Sequence, residues 1–274
     1  MAFLYKPDYN SIMALATKQI DDFIDNGFVK IENAFSADIA NECRAILWNE
    51  TGCSPDNPDS WTAPVIRIGE LSNDAFKVAA NTAILQSAFD QLVGKDNWIA
   101  KETLGSFPIR FPSKEKANDT GWHVDASFPG DDIGNYFAWR INVGSKARGL
   151  LMLFLFSDVS DEDAPTVLKV GSHLDVAKIL GPEGEKGISF IELAQRIDSL
   201  PERPLALATG KAGTVYLCHP FMVHAAQEHN GSTPKFMAQP ALMTKNDFEL
   251  KKNNESACPV EKAIMRGLAD HDLT

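Results

Sequence analysis

Leu150 to Phe156 (Leu-Leu-Met-Leu-Phe-Leu-Phe) is an unbroken apolar run, and no other stretch constrains the fold as strongly. A membrane-spanning helix needs about 20 such residues, and a half-exposed strand would alternate apolar with polar. A short run predicts a strand buried on both faces, lying at the centre of the fold. A chain of 274 residues can supply that burial, since about 75% of the unfolded surface is removed from water at this size. It needs neither disulfides nor a structural metal to hold its core.

The segments before the run are mainly helical. Ile12, Ala16, Ile20, Phe23 and Ile24 recur at helical spacing, and the pattern stops at Asn26-Gly27, a pair suited to a left-handed C-cap. Phe28–Ile31 reads as a short strand, and Ser36 caps a helix with Ile39, Cys43, Ile46 and Leu47 on its apolar face. Asp74–Val93 is helical in character. Trp98–Phe111 is strand-like, with Pro108 and Pro112 confining it to an edge or a bulge.

Strands dominate the rest of the chain. Tyr136–Val143 reads as a strand, Asp163–Val170 continues the sheet, and Gly171-Ser172-His173 closes it before a short helix. Ser189-Phe190-Ile191-Glu192 is a capping box that opens an inserted helix. Leu205–Leu207, Gly213–His219, Met222–Gln227 and Lys235–Leu242 are strands divided by Gly, Pro and Asn signals, and Pro259 starts a final helix. The expectation is a single α+β domain over 1–274 around an antiparallel barrel. A helical flank covers 1–95, the core 96–245 carries a helical insert at about 174–200, and a tail with one helix covers 246–274.

A net charge of −11 works against sequence-independent binding to nucleic acid or an anionic bilayer, both of which need clustered Lys and Arg. No run is long enough for a membrane span, and Met1–Asn10 has no basic and apolar leader pattern. Cys43, Cys53, Cys218 and Cys258 lack metal or disulfide spacing and read as free thiols. A cytoplasmic protein acting on a small molecule is expected. No feature fixes an oligomeric state.

Chemistry enters at Gly121-Trp122-His123-Val124-Asp125. A histidine and a carboxylate two apart on an extended strand share one face. Imidazole and carboxylate suit iron(II), and a second histidine would complete a facial triad with open coordination positions. Of the other histidines, His224 is the candidate. If Asn230-Gly231 form a two-residue hairpin turn, His229 pairs with Ser232, Ala226 faces Lys235 and His224 faces Met237, so His224 and Lys235 share a face. His219 precedes Pro220 and marks a corner, His173 supports a turn, His229 lies beside the proposed turn, and His271 is in the tail.

Three stretches together resemble the phytanoyl-CoA dioxygenase family of Fe(II)- and 2-oxoglutarate-dependent oxygenases. They are the Gly121–Asp125 motif, Asp163-Ala164-Pro165-Thr166 followed by Gly171-Ser172-His173, and His219 through Gln227. The resemblance implies a double-stranded β-helix (jelly-roll, cupin-like) fold, with His123, Asp125 and His224 as metal ligands and catalytic residues. It also implies 2-oxoglutarate and O2 as co-substrates, succinate and CO2 as products, and hydroxylation over halogenation because Asp125 is present. The family's arginine eleven positions beyond the distal histidine holds the far carboxylate of 2-oxoglutarate; here that position is Lys235. Lysine keeps the charge and replaces a planar fork with a compact ammonium. Thr166 and Arg140 are expected to assist it. Arg110, Trp122 and Trp139 are expected to contact substrate. A zinc hydrolase using the same donors, and a silent ligand-binding barrel, are the alternatives.

Overall fold

In the computed structural model, which describes residues 13–251 and 256–269, Ile12 and His271 lie outside the described residues. The first helix is α1 (Thr17–Asn26), ended by Gly27 at φ +86°. Only glycine fits there, because a Cβ would come within 2.4 Å of His173 Nδ1 as well as needing a left-handed backbone. The strand β1 (Phe28–Ile31) follows, then α2 (Ala37–Thr51), whose first turn is capped by the Ser36 hydroxyl accepting from Ile39 N. After β2 (Val65–Ile68), the helix expected over 74–93 is two, α3 (Asp74–Ala80) and α4 (Ala83–Val93). Asn81 makes the break, its side-chain amide donating to the Lys77 and Lys101 carbonyls. The strand-like region before the metal-site motif narrows to β3 (Phe107–Arg110).

The remaining elements are β4 (Arg140–Ile141), β5 (Arg148–Leu155), β6 (Val167–Lys169), α5 (Ser172–Leu180), β7 (Ile188–Ser189) and α6 (Phe190–Ile197). Then come β8 (Leu205–Leu207), β9 (Val215–Cys218), β10 (His224–Ala225), β11 (Met237–Ala238), β12 (Ala241–Met243) and α7 (Pro259–Ala269). All pairings are antiparallel. One sheet runs β1-β9-β5-β11, with β12 also on β5; another runs β10-β6-β8; β2 pairs β3, and β4 pairs β7.

The apolar run forms β5, buried at every position. Its two faces serve two cores. Leu150, Met152 and Phe154 pack with the helices in the larger cluster, whereas Leu151, Leu153 and Leu155 pack with Leu168, Ala208 and Met237 between the two main sheets. Strand alternation assigns the faces, and cover on both sides explains why the sequence does not alternate in polarity.

Several strands differ from their sequence expectation. Tyr136–Ala138 is a 3-10 turn held by the Asn135 side chain, leaving only β4 as strand in that region. Asp163–Val170 narrows to β6 and pairs with β10 and β8 rather than with the β5 sheet. Lys235–Leu242 divides at Pro240, which has no N–H to give the ladder while its carbonyl accepts from Met152 N at 2.9 Å. Among the described residues, no helix is long and apolar enough to cross a membrane.

Candidate metal centre

His123, Asp125 and His224 converge. Their candidate donor atoms all lie within 4.8 Å of one another, with Asp125 Oδ1 at 3.9 Å from His123 Nε2 and 4.0 Å from His224 Nε2. The backbone route differs from the expected strand. Gly121–Asp125 forms no extended ladder; one antiparallel bridge, His123 to His224, carries both N–H···O bonds at 3.0 and 2.9 Å. That bridge brings the two imidazoles to a ring separation of 4.3 Å.

Each imidazole is oriented by a backbone carbonyl. His123 Nδ1 contacts Gly121 O at 2.8 Å and His224 Nδ1 contacts Met222 O at 3.0 Å. With Nδ1–H donated, Nε2 carries the lone pair toward the cavity, the arrangement that a metal-binding histidine needs. In His224 that lone pair accepts from Gln239 Nε2 at 2.9 Å. Burial, reinforced by His123, pushes the His224 imidazole down to about 4, so it is neutral at neutral pH.

Asp125 is handled oppositely. Burial alone would raise its pKa, but Arg148, the two imidazoles and Gln239 outweigh that and hold the carboxyl at about 2. Arg148 Nη2 donates to Oδ2 at 2.5 Å while Nη1 donates to Ala126 O at 3.1 Å. The carboxylate oxygens are thus divided, Oδ2 to the guanidinium and Oδ1 to the histidines. Sequence reasoning missed Arg148, although a charged residue heading a wholly buried strand must have a partner. It also missed Gln239, Tyr136 and Phe190. The Tyr136 hydroxyl accepts from Ala126 N at 3.2 Å and its pKa is pushed up to about 12 by burial and the Asp125 charge. Phe190 lies 5.7 Å from the His123 ring.

These residues line a cavity of about 850 Å³ that also includes Arg67, Arg110, Asp119, Trp122, Thr166 and Lys235. His224 and Lys235 share it for a different reason from the expected hairpin. Asn230 and Gly231 form no tight hairpin turn: both N–H groups donate to Glu162 O, at 2.9 and 2.8 Å, so the register placing His224 opposite Met237 is not formed. His224 pairs with Leu168, Met237 with Leu155, and Lys235 bridges Arg110. His224 reaches the cavity from β10, and Lys235 from its bridge to Arg110 of β3.

Lys235 is 1% exposed, and its ammonium donates to Ala164 O. Burial and the neighbouring Arg110 charge push its pKa down to about 7, against the pull of Asp119 and Asp163. Arg110 donates to both Asp119 oxygens at 2.7 Å and to Gln227 O at 3.1 Å, and Arg67 binds the same carboxylate. Thr166 and Trp122 also line the cavity, with Lys169 Nζ lying 4.6 Å over the Trp122 ring.

Arg140 and Trp139 are not among the lining residues. Arg140 instead donates to the Lys186 and Gly187 carbonyls at 2.8 and 2.6 Å, fastening the helical insert, and Trp139 Nε1 donates to Ile133 O at 3.0 Å. The other described histidines lie away from the centre. His219 is buried beside His173, its pKa lowered by burial; His173 Nε2 meets Ile24 O at 3.0 Å, and His229 Nε2 meets Thr233 O at 2.8 Å.

No family model and no curated protein matches this chain. Solved structures do resemble it in fold. SnoK, a non-haem α-ketoglutarate-dependent carbocyclase from nogalamycin biosynthesis, superposes with a TM-score of 0.55 at 14% identity over 85% of this chain and 86% of its own. HygX from Streptomyces hygroscopicus, with nickel and 2-oxoglutarate bound, gives 0.54 at 17% identity over 89% and 95%. EctD from S. alaskensis, with 2-oxoglutarate and 5-hydroxyectoine, gives 0.53 at 18% identity over 86% and 78%. At these identities the likeness is one of fold.

Proposed function

We propose that this chain is an Fe(II)- and 2-oxoglutarate-dependent oxygenase of the phytanoyl-CoA dioxygenase type, built on a jelly-roll barrel and acting on a small molecule. The convergence of His123, Asp125 and His224 at one end of a cavity with Lys235 in its lining carries the reading. Two imidazoles, each with Nδ1 held by a backbone carbonyl, and one ionised carboxylate are a donor set for iron(II). Their partners are compatible with metal: both Nδ1 atoms are engaged by backbone carbonyls, and Arg148 takes the second carboxylate oxygen. The fold neighbours named for α-ketoglutarate dependence, or solved with 2-oxoglutarate, add support.

Iron, when bound, supplies oxygen activation coupled to decarboxylation of the 2-oxo acid. The balanced reaction is R–H + O2 + 2-oxoglutarate → R–OH + succinate + CO2, one oxygen atom entering each organic product. The protein's own residues bind and orient. Lys235 receives the far carboxylate of 2-oxoglutarate, with Thr166 beside it. Arg148 holds Oδ2 of Asp125, so Oδ1 would be the oxygen offered to a bound metal. The apolar walls exclude water and hold the substrate C–H near the centre.

A zinc hydrolase would need a general base. The other carboxylate in the cavity lining, Asp119, accepts from both Arg110 and Arg67. Anaerobic addition of Fe(II) and 2-oxoglutarate tests the oxygenase reading. A weak visible charge-transfer band is expected, followed by succinate on admission of oxygen. No band and no succinate from fully iron-loaded protein would overturn it.

A further inference from the structure

Two features of the cavity remain beyond metal and co-substrate binding. The first is an aromatic wall. Phe190, at the start of α6, lies 5.4 Å from Tyr136 and 5.8 Å from Phe137, and 5.7 Å from the His123 ring. The loop before β4 and the inserted helix therefore meet beside the metal ligands. Phe137 is 60% exposed, and Ile133 and Ile191, at 72% and 43%, are exposed in the same two segments. Apolar side chains left open to water around a concave site mark a surface completed by a ligand.

The second feature is charge. In a chain with a net charge of −11, the cavity lining carries Arg67, Arg110, Arg148 and Lys235 against Asp119 and Asp125. Arg148 is matched by Asp125. Asp119 must serve both Arg110 and Arg67. With Lys235 assigned to the co-substrate, one guanidinium equivalent is uncompensated. Arg110 has a side-chain exposure of 4%, Arg67 of 57%, so Arg67 is the member that an incoming anion can reach.

We propose that the outer cavity takes an amphiphilic substrate, a flat apolar ring system bearing one anionic group, with its ring against Phe137 and Phe190 and its anion at Arg67. This substrate class rests on the oxygenase reading for the assignment of Lys235 to the co-substrate and for what happens to the substrate afterwards. The surplus cation disfavours polycations, which would add positive charge beside Arg67 and Arg110, and an uncharged sugar would leave that cation without a partner.

The test uses 2-naphthoate, its cationic counterpart 2-naphthylmethylamine, and methyl glucoside, each titrated calorimetrically into protein loaded with Mn(II) and saturating 2-oxoglutarate. Naphthoate is expected to bind, the amine about tenfold more weakly, and the glucoside not at all. Phe137→Ala should weaken naphthoate about tenfold through lost apolar contact. Arg67→Gln should cost about fivefold and erase most of the preference for acid over amine. Both positions are exposed, and thermal melts check the fold. Absence of naphthoate binding at millimolar concentration, amine binding as tight as the acid, or indifference to both variants would each overturn the proposal. Repeating the titration without metal separates the two readings. Failure to bind Mn(II) and 2-oxoglutarate sinks the oxygenase, while the two variants' effects on naphthoate still measure the outer cavity.

Discussion

The two ends of the cavity are built alike and charged unlike. Each centres on a single backbone bridge between distant segments, His123 to His224 at one end and Arg110 to Lys235 at the other. At the histidine end, burial keeps His224 neutral, Arg148 helps keep Asp125 ionised, and backbone carbonyls fix both rings. At the lysine end, burial and Arg110 work against the ammonium, and one carbonyl, that of Ala164, accepts from it. An ammonium has three donors, so it retains capacity for an anion. On the oxygenase reading, one end is prepared for a cation before the cation arrives, and the other holds an ammonium that a bound carboxylate would stabilise.

The most severe way to break this contrast is to remove a metal donor. His224→Ala is expected to abolish metal binding, read by equilibrium dialysis with metal analysis, whereas His219→Ala should retain it despite lower stability. Retention by the first variant and loss by the second would refute the triad. At the opposite end, Lys235→Ala should weaken 2-oxoglutarate by about two orders of magnitude, within the range for removing one partner of a buried charged pair. Mn(II) affinity should be unchanged. Lys235→Arg should hold or improve co-substrate affinity, and a Lys235→Ala protein that binds 2-oxoglutarate normally would show that the cation is not its anchor.

How much of this was legible in the sequence depended on whether a residue's role was local. The Leu150–Phe156 run indicated a central strand because burial on both faces leaves a direct mark on composition, and β5 lies there. The capping box at Ser189 is likewise local: its hydroxyl accepts from Glu192 N, and the Glu192 carboxylate accepts from Ser189 N at 2.8 Å. The His-x-Asp spacing identified a donor pair that does converge, although its backbone is not a regular strand. Partner-dependent features were illegible. Asn230-Gly231 has hairpin chemistry, but the Glu162 carbonyl captures both N–H groups. Arg140 looked available beside the site until the insert's carbonyls took its guanidinium. Arg148 was hidden by the turn before it, where Ser145, Lys146 and Ala147 all have positive φ, which side-chain-bearing residues seldom adopt.

Arg148 sharpens the contrast from the histidine side. Arg148→Ala removes the donor that fixes Oδ2 of Asp125, so metal affinity should fall about 10- to 100-fold, the usual scale for losing a partner that orients a ligand. A second readout concerns acid. Asp125's folded pKa, about 2, lies below its ordinary value of 3.8, so its contribution to stability is present above the ordinary value and is lost as pH falls toward 2. Without Arg148 the folded pKa moves up toward the ordinary value, so less stability should be lost over that interval in metal-free protein. Unchanged metal affinity together with an unchanged acid profile would show that the guanidinium neither orients nor ionises the carboxylate.

The smallest expected effect concerns the charge state of Lys235. Its folded pKa of about 7 lies below the ordinary 10.5, so the unfolded chain binds more protons between those values and the metal-free protein should gain stability as pH rises through that interval. Binding of 2-oxoglutarate should run the other way, because the carboxylate needs the ammonium and must restore a proton lost above neutrality. Affinity should therefore fall about tenfold between pH 6 and 8, following the fraction of protonated lysine in the free protein. Lys235→Arg should flatten this dependence, since a guanidinium keeps its proton throughout. A wild-type affinity independent of pH over the same interval would mean that Lys235 is already charged in the empty cavity, and the two ends would then be equally prepared for their ligands.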